Sequence, residues 1–366
     1  MTFTLSTVNN GDSPSPSSNS DVFTTATTVI AATAYGKRWT KTKTFVVCGV
    51  LLVAVIVALV ISRSSDDGKM MVGGQGTSTA NGVIGGTEVR EDRYPYMVSL
   101  QTIFDGHGCG GSLIARDVVL TAAHCQGDVD HVTVGRHNIS NYADGENIKI
   151  REELPHPSFS YDESTDIPNN DFMLVFLDRA ADNVVPVKLN SDFRSPTVGH
   201  YATSLGWGDI DIHDDNYTGS NVLKQVALQI VSNEDCENSE TLSVDGITYN
   251  YKDQITKSMM CAKGGDSEDT CQGDSGGPLI VGSNDEAVQV GVVSGGWFCA
   301  IDQLPGVYAR VSEAYKWIQR EVCGGSDYAS EAGFDCDGIT TNGELSSPKT
   351  NPLVFSFVCV SSQTTS

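Results

Sequence analysis

The sequence predicts an all-β protein, an antiparallel sandwich or barrel finished by one helix. Three observations carry this. Short apolar or alternating runs recur from about residue 83 onward: YMVSLQTIF, VVLTA, FMLVFL, VLKQVALQIV, PLIV, AVQVGVVSG and GVYARV. Gly, Asn, Asp and Pro break these runs at regular intervals, as turns between antiparallel strands require. One helical period is clear, near the end. Ala314, Trp317, Ile318 and Val322 form one apolar face, with Ser312 placed to cap it.

In chain order, residues 1–44 are rich in Ser, Thr, Asn and Pro and read as a disordered tail. Residues 45–62 read as a transmembrane signal-anchor. The uncharged run FVVCGVLLVAVIVALVI reaches the short end of a bilayer span and has no polar face, unlike a core helix. Lys37, Arg38, Lys41 and Lys43 precede it, which leaves the tail in the cytoplasm and the remainder outside. A cleaved signal peptide is the rival reading. Ser62, with Val60 two residues before it, passes as a cleavage site, but the preceding start is long for one. Residues 63–82 are Gly/Ser/Asp-rich and read as a linker or propeptide. Residues 83–323 hold the strand pattern, and 324–366 read as a low-complexity extension.

The chain has 366 residues, with 46 acidic against 23 basic side chains and a net charge of −23. That balance argues against a nucleic-acid partner, whose phosphates need cations. It gives instead a soluble, self-repelling surface. The acidity lies wholly beyond the apolar segment. Ten cysteines fit an oxidising compartment: Cys48 lies in the span and the rest follow it. The glycosylation triplets at Asn138 and Asn216 lie on the same side.

Residues 271–279 read CQGDSGGPL, a serine among three glycines. Glycine is costly in regular structure and belongs where the backbone bends unusually or something must approach. A serine hydroxyl becomes a nucleophile only with a base, a group to orient that base, and donors for the developing oxyanion. His124 ends the run VVLTAAHC, and Asp171 precedes the buried run in NNDFMLVFL. Taken singly they read as a structural histidine and a turn residue. Together with GDSGGP they resemble the trypsin-like, chymotrypsin-fold serine proteases in both motif and order. The resemblance covers residues 83 to about 323.

It implies two six-stranded antiparallel β-barrels with a C-terminal helix, and a serine endopeptidase working without a cofactor. His124 would be the general base, Asp171 its orienting partner and Ser275 the nucleophile. The N–H groups of Gly273 and Ser275 would form the oxyanion hole, and the glycines would clear a path for the scissile carbonyl. Ser294 matches the serine that supports the aspartate. Asp269 matches the acid at the base of the primary pocket, with Gly296 and Gly306 as small wall residues, so substrates carrying Arg or Lys are expected. The implied disulfides are Cys109–Cys125, Cys236–Cys261 and Cys271–Cys299. Ala202 and Val281 stand where another family bridge would have its cysteines. Cys323–Cys336 is open as a further pair, which leaves Cys359 odd.

VIGG at residues 83–86 resembles the family's activation site. Cleavage there would free the Val83 ammonium to pair with Asp274. The residue before the cut is Gly82, so a separate activating protease is expected, and protein inhibitors are expected partners too. With its apolar segment, the chain resembles type II transmembrane members of the family. Three departures stand out. Gly295 occupies a position where a large aromatic is usual, and Phe298 one where glycine is usual. Arg136 stands at a ligand position of a calcium-type loop, so no metal site is expected. A catalytically silent homologue that binds through the same cleft is the alternative; the complete set of triad residues and oxyanion glycines argues against it.

Overall fold

The seven apolar runs named above are all strands in the computed structural model. It describes residues 83–339, apart from 103–105, 128, 162–166, 212–216, 266–267, 284–285, 302 and 338. The expectations for the tail, the span, the linker, Cys48, Asn216, Cys359 and residues 340–366 therefore lie outside the described residues. Among the described residues no helix is long and apolar enough to cross a membrane.

A short strand β1 (Thr87–Glu88) precedes the first barrel. That barrel comprises β2 (Met97–Thr102), β3 (His107–Ala115), β4 (Val118–Thr121), β5 (Val129–Val134), β6 (Glu146–Pro155) and β7 (Met173–Leu177). Their order is β2-β3-β4-β7-β6-β5, closed by antiparallel pairing of β2 with β5. Strands β4 and β7 are buried along their whole length, which explains their unbroken apolar character. Strands β3 and β6 escaped the sequence reading for opposite reasons. The glycines of HGCGGSLIA dilute its apolar signal, and ENIKIREELP buries only Ile148.

After β8 (Lys188–Leu189) come β9 (Tyr201–Gly206), β10 (Lys224–Val231), the hairpin β11 (Leu242–Val244) and β12 (Ile247–Tyr249), then β13 (Met259–Lys263), β14 (Pro278–Val281), β15 (Val288–Gly295) and β16 (Gly306–Arg310). The second barrel runs β10-β13-β16-β15-β14-β9, and β9 pairs back onto β10 to close six strands; β1 and β8 add at its edges. In β10 alternate residues are buried, the half-buried period that its sequence carries. Ala202 is buried in this barrel's core and the half-buried Val281 packs against it, an apolar replacement for a bridge. The hairpin lies within the long stretch between Cys236 and Cys261 and turns at Asp245-Gly246, both with positive φ (52° and 81°).

A short helix α1 (Asn233–Glu237) is capped by Ser232, and the long helix α2 runs Val311–Gly325. Ala314, Trp317, Ile318 and Val322 are buried as expected, against the first barrel's core. The cap differs from expectation. Strand β16 runs directly into α2, so the helix starts at Val311 and Arg310 holds the cap position without a side-chain bond to the helix. Ser312 lies inside the first turn, its hydroxyl buried and without a hydrogen-bond partner among the described residues. Arg310 instead donates to Met259 O at 3.0 Å and Asn233 Oδ1 at 2.8 Å, which ties the junction to β13 and α1.

Residues beyond α2 continue the packed body. Cys323 and Cys336 are bridged, and Ala329 and Phe334 join the first barrel's core. The three disulfides that the resemblance implied are also formed.

In the loop after β5, Arg136 is buried and donates to Asn141 O at 3.2 Å. Asp144 accepts from the N–H groups of His137 and Asn138, at 3.0 and 2.6 Å. The loop's interior thus holds a guanidinium where a calcium site would gather oxygens. Chelation by EDTA should leave the melting temperature unchanged. A large drop reversed by added calcium would contradict this. Asn138 itself is half-buried, and its side-chain oxygen accepts from Ser140 N at 2.9 Å.

Candidate active site

The cleft is built where the end of β4, the start of β7 and the turn before β14 converge. His124 sits in a short 3-10 turn, Ala123–Cys125, and the Cys109–Cys125 bridge fixes that turn to β3. Asp171 is almost fully buried just before β7. Its Oδ1 accepts from the backbone N–H of His124 at 2.9 Å, and its Oδ2 lies 2.7 Å from His124 Nδ1. Ser294 Oγ donates to the same Oδ2 at 2.7 Å. A carboxylate can only accept, so Nδ1 carries the imidazole proton and Nε2 presents a lone pair. Burial pushes the His124 pKa down, but the hydrogen bond and charge of Asp171 outweigh it and leave the pKa raised.

Ser275 lies in a tight turn held from both barrels. Its carbonyl accepts from Gly110 N at 2.7 Å, Gly276 N donates to Val293 O at 2.8 Å, and Val293 N donates to Gly277 O at 2.9 Å. At Gly276 the φ is +78°, and a Cβ would stand 2.1 Å from Thr121 Oγ1 and 2.5 Å from Gly110 O. This glycine answers to the protein's own packing, where the sequence reading assigned it to substrate approach. Among the described residues the N–H groups of Gly273 and Ser275 have no acceptor, while those of Asp274, Gly276 and Gly277 do. Two free donors flanking Asp274, one of them on Ser275 itself, can receive an oxyanion.

Ser275, Asp269, Ser294, Gly295, Gly296 and Gly306 line one cavity of about 130 Å³. Asp269 is buried, accepting from Thr270 N at 2.8 Å and Ala300 N at 3.0 Å. Burial pushes its pKa up to about 6, against those hydrogen bonds. A side chain at Gly306 would stand 3.3 Å from its Oδ1, so the small wall residue keeps the acid reachable. Phe298 has φ +63°, a conformation that favours glycine, and its ring rests 4.8 Å from that of Tyr249.

Asp274 is wholly buried behind Ser275. It accepts from Gly208 N at 2.8 Å and Cys271 N at 2.9 Å, and burial pushes its pKa up to about 7. Val83 is also fully buried, and Asp269 N donates to Ile84 O at 3.1 Å. The first described residues are thus threaded behind the pocket. Val83 has φ +45°, an outlier for a β-branched residue.

Several participants carried no sequence signal. His107 Nε2 lies 2.9 Å from Gly273 O, and its Nδ1 lies 2.7 Å from Ser99 Oγ. The carbonyl fixes the proton on Nε2, and burial lowers the His107 pKa to about 4, so a neutral ring holds the Gly273 peptide. Tyr251 Oη donates to Pro305 O at 2.8 Å and accepts from Trp297 N at 3.1 Å, bracing the pocket wall. Cys109, His124 and Cys125 lie close enough to suggest a metal, but the two sulfurs are bonded to each other and offer no thiolate.

Paired barrels meeting at a His–Asp pair and a half-buried serine turn define a class of hydrolase fold. Comparison with known proteins narrows it. The Trypsin family model matches residues 83–318. The chain is 36% identical to Trypsin 5G1 of Aedes aegypti over 249 residues, 66% of this chain and 85% of the relative. It is 34% identical to Mast cell protease 3 of Ovis aries, covering 66% of this chain and 89% of the relative. Among solved structures it resembles neuropsin, a serine protease expressed in the limbic system of mouse brain. That match has a TM-score of 0.56 and 29% identity, and covers 65% of this chain and 98% of neuropsin. The chain belongs to the trypsin family of serine proteases.

Proposed function

We propose that the chain is an endopeptidase that cleaves after Arg or Lys, made as a membrane-anchored zymogen and activated by cleavage before Val83. The observation that carries the specificity is Asp269, a buried acid lining the same cavity as Ser275. In this reading Ser275 Oγ adds to the scissile carbonyl and its proton passes to His124 Nε2. The oxyanion is met by the N–H groups of Gly273 and Ser275. His124 then gives the proton to the leaving amine, and water hydrolyses the acyl-enzyme by the same route. Asp171 keeps the imidazole in its working tautomer and stabilises the imidazolium.

The membrane anchor rests on the sequence of residues 45–62 and the basic residues before it, which put the catalytic domain outside the cell. Residues 63–82 contain no cysteine to tether a cut chain, so activation releases a soluble enzyme.

The test is cleavage profiling on a peptide library. Arg and Lys should lead at the cleaved position, and Asp269→Ser should move the preference toward apolar residues. A wild type that prefers Phe or Leu contradicts the pocket assignment. The raised pKa gives a second readout. The carboxylate is ionised above about pH 6 and takes up a proton below it, so affinity for an arginine amide should fall as pH drops through that value. Asp269→Ser should abolish this pH dependence.

A further inference from the structure

We infer that the cleft takes a bulky aromatic side chain on the residue immediately before the one that enters the Asp269 pocket. This rests on the roles proposed above for His124, Ser275 and Asp269. Beside His124 lies an open cavity of about 620 Å³, walled by Phe159, Tyr161 and Pro168 and floored by Gly295 and Gly296. It is several times larger than the 130 Å³ pocket over Asp269. Two consecutive residues without side chains leave its floor bare.

The next two residues are large aromatics, yet they do not refill the space. Trp297 is committed to the other side, where its Nε1 donates to Asn250 O at 3.2 Å and its ring meets that of Tyr249 at 5.1 Å. Phe298 also packs on Tyr249. Among the described residues, no other side chain fills the room beside His124, which leaves it for a substrate.

Geometry indicates which substrate residue enters. Ser294, Gly295 and Gly296 line both cavities. A peptide laid extended along this segment turns successive side chains to opposite faces. With one side chain in the Asp269 pocket, the next one upstream faces His124. A flat ring there meets the aromatic walls of Phe159 and Tyr161, and pairs of rings favour offset or edge-to-face contact. Among the described residues, no acidic side chain lines this cavity.

The experiment uses the chain beginning at Val83 and a peptide library randomised at the cleaved residue and the one before it. Phe, Tyr and Trp should exceed Ala and Gly at the upstream position by about tenfold or more in kcat/KM, as burial of a large apolar side chain implies. Gly295 is a strand residue of β15, so it can take a side chain. Gly295→Trp should fill the cavity and bring that ratio close to one. Phe159→Ala, which removes the facing wall, should also lower it and serves if the first variant misfolds; burst titration counts the folded enzyme in each. A flat profile, a preference for Gly, Ala or Pro, or a ratio unchanged by Gly295→Trp overturns the inference. The cleaved position reads separately. Upstream aromatics combined with Phe or Leu at the cut sink the Asp269 assignment and keep this one. Arg or Lys at the cut with no upstream preference does the reverse, and no cleavage of any peptide overturns both.

Discussion

Asp171→Asn is expected to lower kcat by about 10⁴, the cost of a wrong imidazole tautomer in a serine triad. The carboxylate now takes the His124 Nδ1 proton at 2.7 Å and leaves Nε2 free to accept from Ser275. An asparagine can present its NH₂ to Nδ1, which moves the ring proton to Nε2 and blocks that step. Ser294 adds a donor to the same carboxylate oxygen, so the acid is held before substrate arrives. Ser275→Ala should remove turnover except for a residue contributed by binding and the oxyanion donors. Burst kinetics with an arginine ester measure both. An Asp171→Asn enzyme that keeps most of its activity would remove Asp171 from the mechanism.

The second large effect concerns the bond before Val83. A chain beginning at Val83 should exceed the uncut chain by at least about 10²-fold in kcat/KM, the scale of losing an oxyanion donor. Asp274 is wholly buried with two backbone donors and a pKa pushed up to about 7, and among the described residues no cation offsets its ionisation. A freed Val83 ammonium would supply that charge and hold the carboxylate ionised at neutral pH, strengthening the hold on the turn that carries the Gly273 and Ser275 donors. Asp274→Asn in the mature chain should lose most of the gain. Because Gly82 precedes the bond, an enzyme selecting cations through Asp269 should leave its own uncut form intact on prolonged incubation. Sequencing the active species from cells checks the whole scheme. Active enzyme still on the membrane, or a mature chain starting at Ser64 or Met70, would contradict it.

Much of this site was legible because its residues sit in short local signatures. TAAHC, NNDF and GDSGGP each place one group, and the disulfide partners matched a family pattern. What stayed hidden depends on distant partners. His107 holds a carbonyl 166 residues away, and Tyr251 braces one 54 residues away. No local window carries either fact. The Ser312 cap was misjudged for a related reason: serine is a good cap in isolation, but a strand running straight into the helix put the cap position on Arg310. Phe334 and Ala329 were missed because two buried residues in a Gly- and Ser-rich stretch leave no period to read.

The φ of +45° at Val83 has a consequence for the energetics of activation. That torsion is defined only while the carbonyl of Gly82 is attached. Holding a β-branched residue in the left-handed region costs on the order of 1–3 kcal/mol. Hydrolysis of the preceding bond would delete the torsion itself, so the burden would fall on the uncut chain alone. Under the activation scheme proposed here, part of the drive toward the ordered enzyme is loaded when the precursor folds, and the cut only releases it.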